Sequence, residues 1–171
     1  DLPGGAVGGA SDSKMPDMQA GAEQMCSNVM AGLSGLNMVY EAAGMHASLL
    51  GFCLESLILS DDIIGQALRC VRGIEVNDET LALDQMAQVC MGGPGHYLGT
   101  DQTLSRMQSD YVYPAFGDRT SPKEWVELEK PNLLVKATKR KEAILSERSA
   151  ASFTPELDAK LRQAHKIHLP A

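Results

Sequence analysis

The chain has 171 residues, of which 44% are hydrophobic and 22% charged, so it carries enough apolar material for one globular core and is neither disordered nor membrane-embedded in composition. Its formal net charge of −7 and pI near 5.0 argue against attraction to nucleic acid or to an anionic membrane surface. No apolar run reaches the ~20 residues of a membrane-spanning helix, and no basic-then-apolar leader opens the chain, so we expect a cytoplasmic protein.

The first third of the sequence has the alternation of an α/β protein. Residues 2–10 are a strand candidate made of small side chains, residues 16–32 carry apolar side chains at helical spacing, and residues 36–41 are a second, more apolar strand candidate. A strand, a crossover helix and a strand form the unit from which parallel sheets and barrels are built. We therefore predict two adjacent parallel strands connected by a right-handed helical crossover.

The middle third predicts helices. Residues 48–60 are apolar enough for a buried helix, and Asp61-Asp62 is placed to cap a second helix that ends at Gly73. Residues 77–89 predict a third helix, and the glycines and proline of residues 92–95 are a strong break.

The last third is more polar and contains two helix-start signals. Residues 121–124 read Ser-Pro-Lys-Glu, which has the form of a capping box, and residues 154–156 repeat the cap followed by proline. Between them, residues 132 to about 151 predict a basic helix. Because the chain is acidic overall, we interpret this helix as a solvated face rather than a binding patch.

The four cysteines lack the close spacing with which two thiolates grip one zinc ion. No metal site is therefore predicted, and we expect buried, reduced thiols at Cys26, Cys53, Cys70 and Cys90.

Ionisable residues follow both predicted strands. Asp12 and Lys14 come after the first strand, and Glu41 and His46 come after the second. In a parallel barrel these strand ends line the mouth of the active site, although solvated caps and turns are the plain alternative. Gly44 would let the second loop turn inward, so we expect the His46 ring to point into a central cavity.

A further candidate lies in the glycine cluster of the middle third. Gly95 and His96 would let the backbone approach a large flat ligand, whereas the alternative is an ordinary turn histidine.

Several segments resemble one known family. Residues 8–23 read GGASDSKMPDMQAGAE and resemble the G-G-x-x-D-[AS]-K-x-x-D-x-Q-A-G-x-E segment of trimethylamine methyltransferases. Further segments resemble the same family in the same order, namely residues 36–44, 55–63, 72–82 and 92–103. The likeness covers about residues 2–130, and the remaining tail is less diagnostic.

The resemblance implies a (β/α)8 barrel. Since eight strand–helix units need ~200 residues or more, the chain would be the C-terminal part of such a barrel. Residues 1–90 would be the last two strand–helix units, and residues 91–171 a helical C-terminal extension of the same domain. The chain begins with Asp1 rather than Met, so an upstream part is expected. Open strand edges further lead us to expect companion segments or a homo-oligomer.

The resemblance also implies a reaction. Family members move a methyl group from a tertiary or quaternary amine to the cobalt of a corrinoid held by a separate, cognate protein. The 171 residues contain no pyrrolysine, so the chain is similar to the branch that acts on betaine-type quaternary amines. The residues assigned on this basis are His46 and Glu41 as catalytic, Asp12, Lys14, Tyr40 and Glu55 as substrate-binding, and Gly95 and His96 as corrinoid-binding.

Two other interpretations remain open. In the first, the chain is a non-catalytic half-barrel that serves binding or assembly. In the second, it is a barrel enzyme of different chemistry. The sequence does not decide which methylated amine would be the substrate.

Overall fold

The computed structural model of the protein describes residues 2–147 and 153–167. Its strands are β1 (Gly5–Val7), β2 (Met38–Tyr40), β3 (Met45–His46) and β4 (Gly51–Phe52). Its helices are α1 (Met18–Leu33), α2 (Leu54–Arg72), α3 (Asp78–Leu81), α4 (Leu83–Cys90), α5 (Asp101–Ser109), α6 (Pro122–Glu127), α7 (Leu133–Ser146) and α8 (Pro155–Ala164). Among the described residues, no helix combines the length and the apolarity needed to cross a membrane.

The predicted strand–helix–strand unit is confirmed. β1 pairs in parallel with β2, with Gly5 opposite Met38 and Val7 opposite Tyr40, and α1 connects them. The strands are shorter than predicted, with three residues each. α1 begins where the Asp17 side chain accepts a hydrogen bond from the Ala20 amide, which satisfies one of the free donors of the first turn.

The β1–β2 sheet has one covered and one open face. A Cβ atom added to Gly8 would lie 2.6 Å from Val39 Cγ1 and 3.9 Å from Ala31 Cβ, so Gly8 and Val39 face α1. Because side chains alternate along a strand, Met38 and Tyr40 face the other way. They are 58% and 46% exposed, and Val7 on the same face is 50% exposed. The described strands form two separate two-stranded sheets, so the α/β class is confirmed and the barrel stays a prediction.

α1 and α2 pack through small residues. The buried apolar side chains of these helices are Ala20, Ala31 and Ala67. A Cβ atom on Gly32 would collide with the Val71 side chain, so glycine is what lets the two helices approach at that point.

The prediction of a helix at residues 48–60 is wrong for the first half of that range. β3 pairs antiparallel with β4, and Ala47, Ser48 and Leu49 form a left-handed turn between them with φ of 51°, 54° and 67°. α2 begins only at Leu54. Local apolarity favoured a helix here, but strand pairing and tertiary hydrogen bonds decide the backbone.

Asp61 and Asp62 do not cap a helix, because α2 runs through them without a break. The Asp62 carboxylate instead accepts hydrogen bonds from three successive backbone amides, those of Ala115, Phe116 and Gly117, at 2.8, 2.7 and 3.2 Å. A carboxylate with several amide donors makes strong, charge-assisted bonds, so Asp62 fixes this loop to α2.

The later helices follow the predicted signals with one interruption. The helix predicted at residues 77–89 is divided into α3 and α4 by Ala82, which is left-handed with φ of 52°. The Ser121 capping box and the Thr154 cap are both confirmed. α7 begins at Leu133, and the predicted end of this helix near residue 151 lies outside the described residues.

By packing, the chain divides into two compact units, Asp1–Lys141 and Glu142–Ala171. The division predicted at residue 90, between the strand–helix units and a helical extension of the same domain, stays a prediction.

The cysteines are unpaired, as predicted, but their predicted burial is wrong. Cys53 is half-buried, and the exposed cysteines are Cys26, Cys70 and Cys90.

Candidate functional site

The loop after β1 and the β3–β4 hairpin meet at the carboxyl end of β1. The Ser11 amide donates to the Met45 carbonyl at 3.1 Å, the Ala47 amide to the Ser13 carbonyl at 3.0 Å, and the Ser48 amide to the Ser11 carbonyl at 3.3 Å. Segments far apart in the sequence are thus joined by backbone hydrogen bonds at the strand end where we expected chemistry. We refer to residues 10–14 and 41–52 together as the strand-end site.

Asp12 and Lys14 are neighbours in this site. The Ser48 hydroxyl donates to Asp12 Oδ1 at 2.6 Å. Lys14 Nζ donates to the backbone carbonyl of Asp12 at 2.8 Å rather than to its carboxylate. Both side chains are exposed, so each is accessible to a ligand.

Glu23 on α1 contacts this site, although we did not assign it from the sequence. Its Oε2 accepts from the Ser11 hydroxyl at 2.6 Å and from the Asp12 amide at 2.9 Å, and its Oε1 accepts from Gln19 at 2.9 Å. These bonds, that of Ser11 first, lower the pKa of the Glu23 carboxyl and favour its charged form. Its place in the family-like segment at residues 8–23 was the signal that could have found it.

His46 is buried, with 3% of its surface exposed. Its Nδ1 lies 3.2 Å from the Ser13 carbonyl oxygen, and its Nε2 lies 2.6 Å from Ser56 Oγ. A carbonyl only accepts, so Nδ1 carries the proton, and in the neutral ring Nε2 accepts from the Ser56 hydroxyl. The ring is buried with both nitrogens against protein atoms, and the expectation that it points into a central cavity stays a prediction. The observed contacts hold the hairpin against α2, and the catalytic role stays a prediction.

A buried polar chain continues from His46 into the helices. The Ser60 hydroxyl donates to the Ser56 carbonyl at 2.6 Å and lies 3.2 Å from Gln24 Oε1, while the Gly44 amide donates to Ser60 at 3.3 Å. Gln24 Nε2 has no partner among the described residues. This series of hydrogen bonds could not be predicted from the sequence, because its side chains meet only when α1 and α2 pack side by side.

Glu41 and Tyr40 lie at the end of β2. Glu41 is exposed and left-handed, with φ of 54°, so its side chain projects where the strand ends. A Cβ atom on Gly5 would lie 2.8 Å from the Tyr40 hydroxyl, which shows that the ring lies across Gly5 on the open face of the sheet. Both residues are exposed and accessible to a ligand.

Glu55 is engaged in an ion pair. Lys141 Nζ lies 2.6 Å from Glu55 Oε1, and Thr138 lies 3.5 Å from the same oxygen. The lysine lowers the pKa of the Glu55 carboxyl, and both charged side chains are largely buried. This contact joins the first turn of α2 to α7, and the predicted role of Glu55 in substrate binding stays a prediction.

Gly95 and His96 lie in an exposed turn after α4. A Cβ atom added to Gly92, Gly95 or Gly99 would meet no atom within 4 Å, and all three have positive φ. The turn is therefore open enough for a broad, flat surface to approach. The corrinoid-binding role remains a prediction.

A cavity of about 620 Å³ adjoins the strand-end site. It combines carboxylates with apolar side chains, and its walls include Val7, Asp12, Glu23, Met30, Ser48 and Leu49. Its volume is in the range of small-molecule pockets. Within residues 2–147 and 153–167, no three metal-binding side chains are grouped closely enough to hold an ion.

The chain is similar to known methyltransferases. The family model described as trimethylamine methyltransferase (MTTB) matches residues 1–166. A glycine betaine methyltransferase of Desulfitobacterium hafniense (strain Y51) is 31% identical over 161 residues, which cover 94% of this chain and 33% of the relative. The trimethylamine methyltransferase MttB of Methanosarcina barkeri (strain Fusaro / DSM 804) is 33% identical over 145 residues, which cover 84% of this chain and 28% of the relative.

The chain thus spans about a third of the length of these curated relatives. The family match covers both predicted strands, the strand-end site and the helices that follow. The chain belongs to the trimethylamine methyltransferase family.

Proposed function

We propose that the full-length protein takes a methyl group from a tertiary or quaternary amine and passes it to the cobalt of a corrinoid carried by a separate protein. The observation that carries this proposal is the match of residues 1–166 to the family. The names of the relatives support both substrate types, trimethylamine and glycine betaine.

The strand-end site offers the chemistry that a methylated amine requires. A quaternary ammonium group is a cation wrapped in methyl groups, and it has no N–H with which to donate a hydrogen bond. It is bound by negative charge beside apolar or aromatic surface. The cavity has both, since Asp12 and Glu23 lie beside Val7, Met30 and Leu49. The lowered pKa of Glu23 keeps that carboxyl charged at neutral pH.

The protein's main task in such a reaction is positioning. The partner's corrinoid supplies the nucleophile and accepts the methyl group, so this chain has to hold the amine in line and exclude water. We propose that Glu41 and Tyr40 orient the amine from the end of β2 beside the cavity, where Tyr40 is paired with the cavity residue Val7, and that Asp12 and Lys14 support them. His46 acts indirectly in this proposal, because a direct contact with substrate would break one of its two buried hydrogen bonds.

The open turn at Gly95 and His96 is the part of this chain that we propose for contact with the corrinoid. A turn without side chains at three of its positions leaves room for a flat macrocycle, and His96 is exposed beside it.

A methyl-transfer assay tests the function. The full-length protein is mixed with reduced cobalamin and a panel of methylamines and betaines, and formation of methylcobalamin is followed by absorbance. Glu41→Gln should lower the rate of transfer at least tenfold, which corresponds to about 1.4 kcal/mol of transition-state stabilisation. Glu127→Gln on the exposed helix α6 is the matched control and should transfer at the wild-type rate. Transfer from no member of the panel would reject the proposal.

A second candidate, a binding or assembly piece without catalysis, is favoured by the apolar open face of the sheet, where Val7, Met38 and Tyr40 are all about half exposed. Sedimentation of this 171-residue chain distinguishes the two. Stable self-association without any methyl transfer by the full-length protein would favour assembly.

A further inference from the structure

The backbone around the strand-end site is unusually rich in left-handed residues. Of the described residues, the non-glycine positions with positive φ are Glu41, Ala47, Ser48, Leu49, Ala82, Glu129 and Lys130. The last three lie at helix ends, where a left-handed residue commonly terminates a helix. The first four lie within residues 41–49. Left-handed backbone is unfavourable for residues with a Cβ atom, so three in a row at Ala47–Leu49 persist only because the surroundings impose them.

Those surroundings are the loop after β1. The Ala47 and Ser48 amides donate to the carbonyls of Ser13 and Ser11, and the Ser48 hydroxyl donates to Asp12 at 2.6 Å. The loop is fixed in turn by Glu23, which accepts from the Ser11 hydroxyl and the Asp12 amide. A continuous set of hydrogen bonds thus runs from α1 through Asp12 to the left-handed turn.

The turn forms one wall of the cavity. Ser48 and Leu49 line it together with Val7 and Met30, and Leu49 is 40% exposed. An extended or right-handed backbone at these positions would move both side chains. The shape of the cavity therefore depends on the strained conformation.

We propose that the Ala47–Leu49 turn is a preformed wall of the amine site and that Leu49 supplies its apolar contact to the methyl groups. Besides the charge that it presents to the cavity, Asp12 holds this wall in position through its hydrogen bond with Ser48. This inference rests on the proposed function and adds to it the residues that determine how well the amine is held. Preformed walls favour affinity because the ligand does not have to order them on binding.

An alanine-to-glycine pair tests the backbone part. Ala47→Gly and Ala82→Gly remove the same methyl group at nearly the same φ, 51° and 52°, and differ only in place. Both should leave the melting temperature unchanged or raise it, since glycine relieves left-handed strain. Only Ala47→Gly should raise KM for the amine, by about threefold to tenfold, with kcat less affected. Equal KM values for both variants and the wild type would overturn the inference.

Ser48→Ala tests the positioning role of Asp12, because it removes the hydrogen bond and leaves the Asp12 charge in place. KM for the amine should rise about tenfold, the size expected for one lost hydrogen bond to a charged group. Ser105→Ala, which removes a hydroxyl that donates to the Gln102 carbonyl within α5, is the control and should keep the wild-type KM.

Hydrogen exchange gives a readout that does not depend on activity. The Ala47 and Ser48 amides should exchange faster in Ser48→Ala than in the wild type, and amides of α5 should not change. Wild-type methyl transfer together with unchanged exchange and unchanged KM would overturn this inference and leave the proposed function standing. A wild-type protein without transfer from any amine would overturn both.

Discussion

The two faces of the β1–β2 sheet are built from different side chains. The face toward α1 is closed by Gly8, Val39 and Ala31, and the neighbouring helix contact is made through Gly32 and Ala67. The opposite face carries Val7, Met38 and Tyr40, which remain about half exposed. Small residues on the covered face let backbones approach closely, whereas the open face carries large apolar residues. The covered face thus carries the stability of this segment, and the open face is available to a ligand or another chain.

The largest effect is expected on the covered side, at Gly9. Its φ is +71°, and a Cβ atom there would collide with the backbone carbonyl of Ala42, which has no freedom to move aside. Gly9→Ala should therefore destabilise the fold by about 3 kcal/mol or more, since strain and a backbone clash act together. Urea unfolding measures the loss.

Gly65→Ala is the matched control for that measurement. Gly65 lies inside α2 with nothing within 4 Å of the added Cβ, so this variant should gain roughly 0.5–1 kcal/mol from helix propensity. Equal unfolding midpoints for the two variants would contradict our description of the covered face.

His46→Ala should cost about 2–3 kcal/mol, because it removes both hydrogen bonds of a buried ring and leaves Ser56 without its partner. The measurement is urea unfolding together with methyl transfer per folded molecule of the full-length protein. Lost transfer in a variant of wild-type stability would show instead that His46 acts directly on the substrate.

Met38→Ser tests the open face. It should change the free energy of unfolding by no more than about 0.5 kcal/mol, since Met38 is already 58% exposed.

Gly32→Val tests the contact between α1 and α2. It should lower the free energy of unfolding by about 1–3 kcal/mol, because the added side chain overpacks against Val71. Thermal unfolding of both variants checks the contrast. A large loss for Met38→Ser would mean that the open face is covered.

The smallest effect concerns pH. The pKa of Glu23 is lowered in the folded protein, mainly by the Ser11 hydroxyl, so its contribution to stability is present above the pKa of the unfolded chain and is lost as pH falls through the folded pKa. Glu23→Gln should therefore flatten the decline of stability in the acid range. Ser11→Ala should flatten it partly, because it removes the largest cause. If stability fell with acid pH in both variants just as it does in the wild type, the lowered pKa of Glu23 would be contradicted.

The strand-end site shows how far single residues could be predicted. Asp12, Lys14 and Glu41 follow the two predicted strands and Tyr40 ends the second, and the structure places all four at accessible positions at or after the ends of β1 and β2. The contacts that organise this site were not predicted, because the Ser48 bond to Asp12 joins residues 36 positions apart. Glu55 was placed near the substrate by resemblance, but its ion pair with Lys141 spans 86 positions and was invisible in the sequence.

The sequence by itself determined the α/β unit and the starts of several helices. The caps at Asp17, Ser121 and Thr154 are each satisfied within three residues, so local chemistry suffices to specify them. Only the tertiary structure decided the β3–β4 hairpin, its left-handed turn and the use of Asp62 to hold a distant loop. These features depend on hydrogen-bond partners that meet only after folding, and their backbone conformations run against local preference. Several side chains near the proposed amine site could therefore be predicted from the sequence, whereas the shape of that site is set by the tertiary structure.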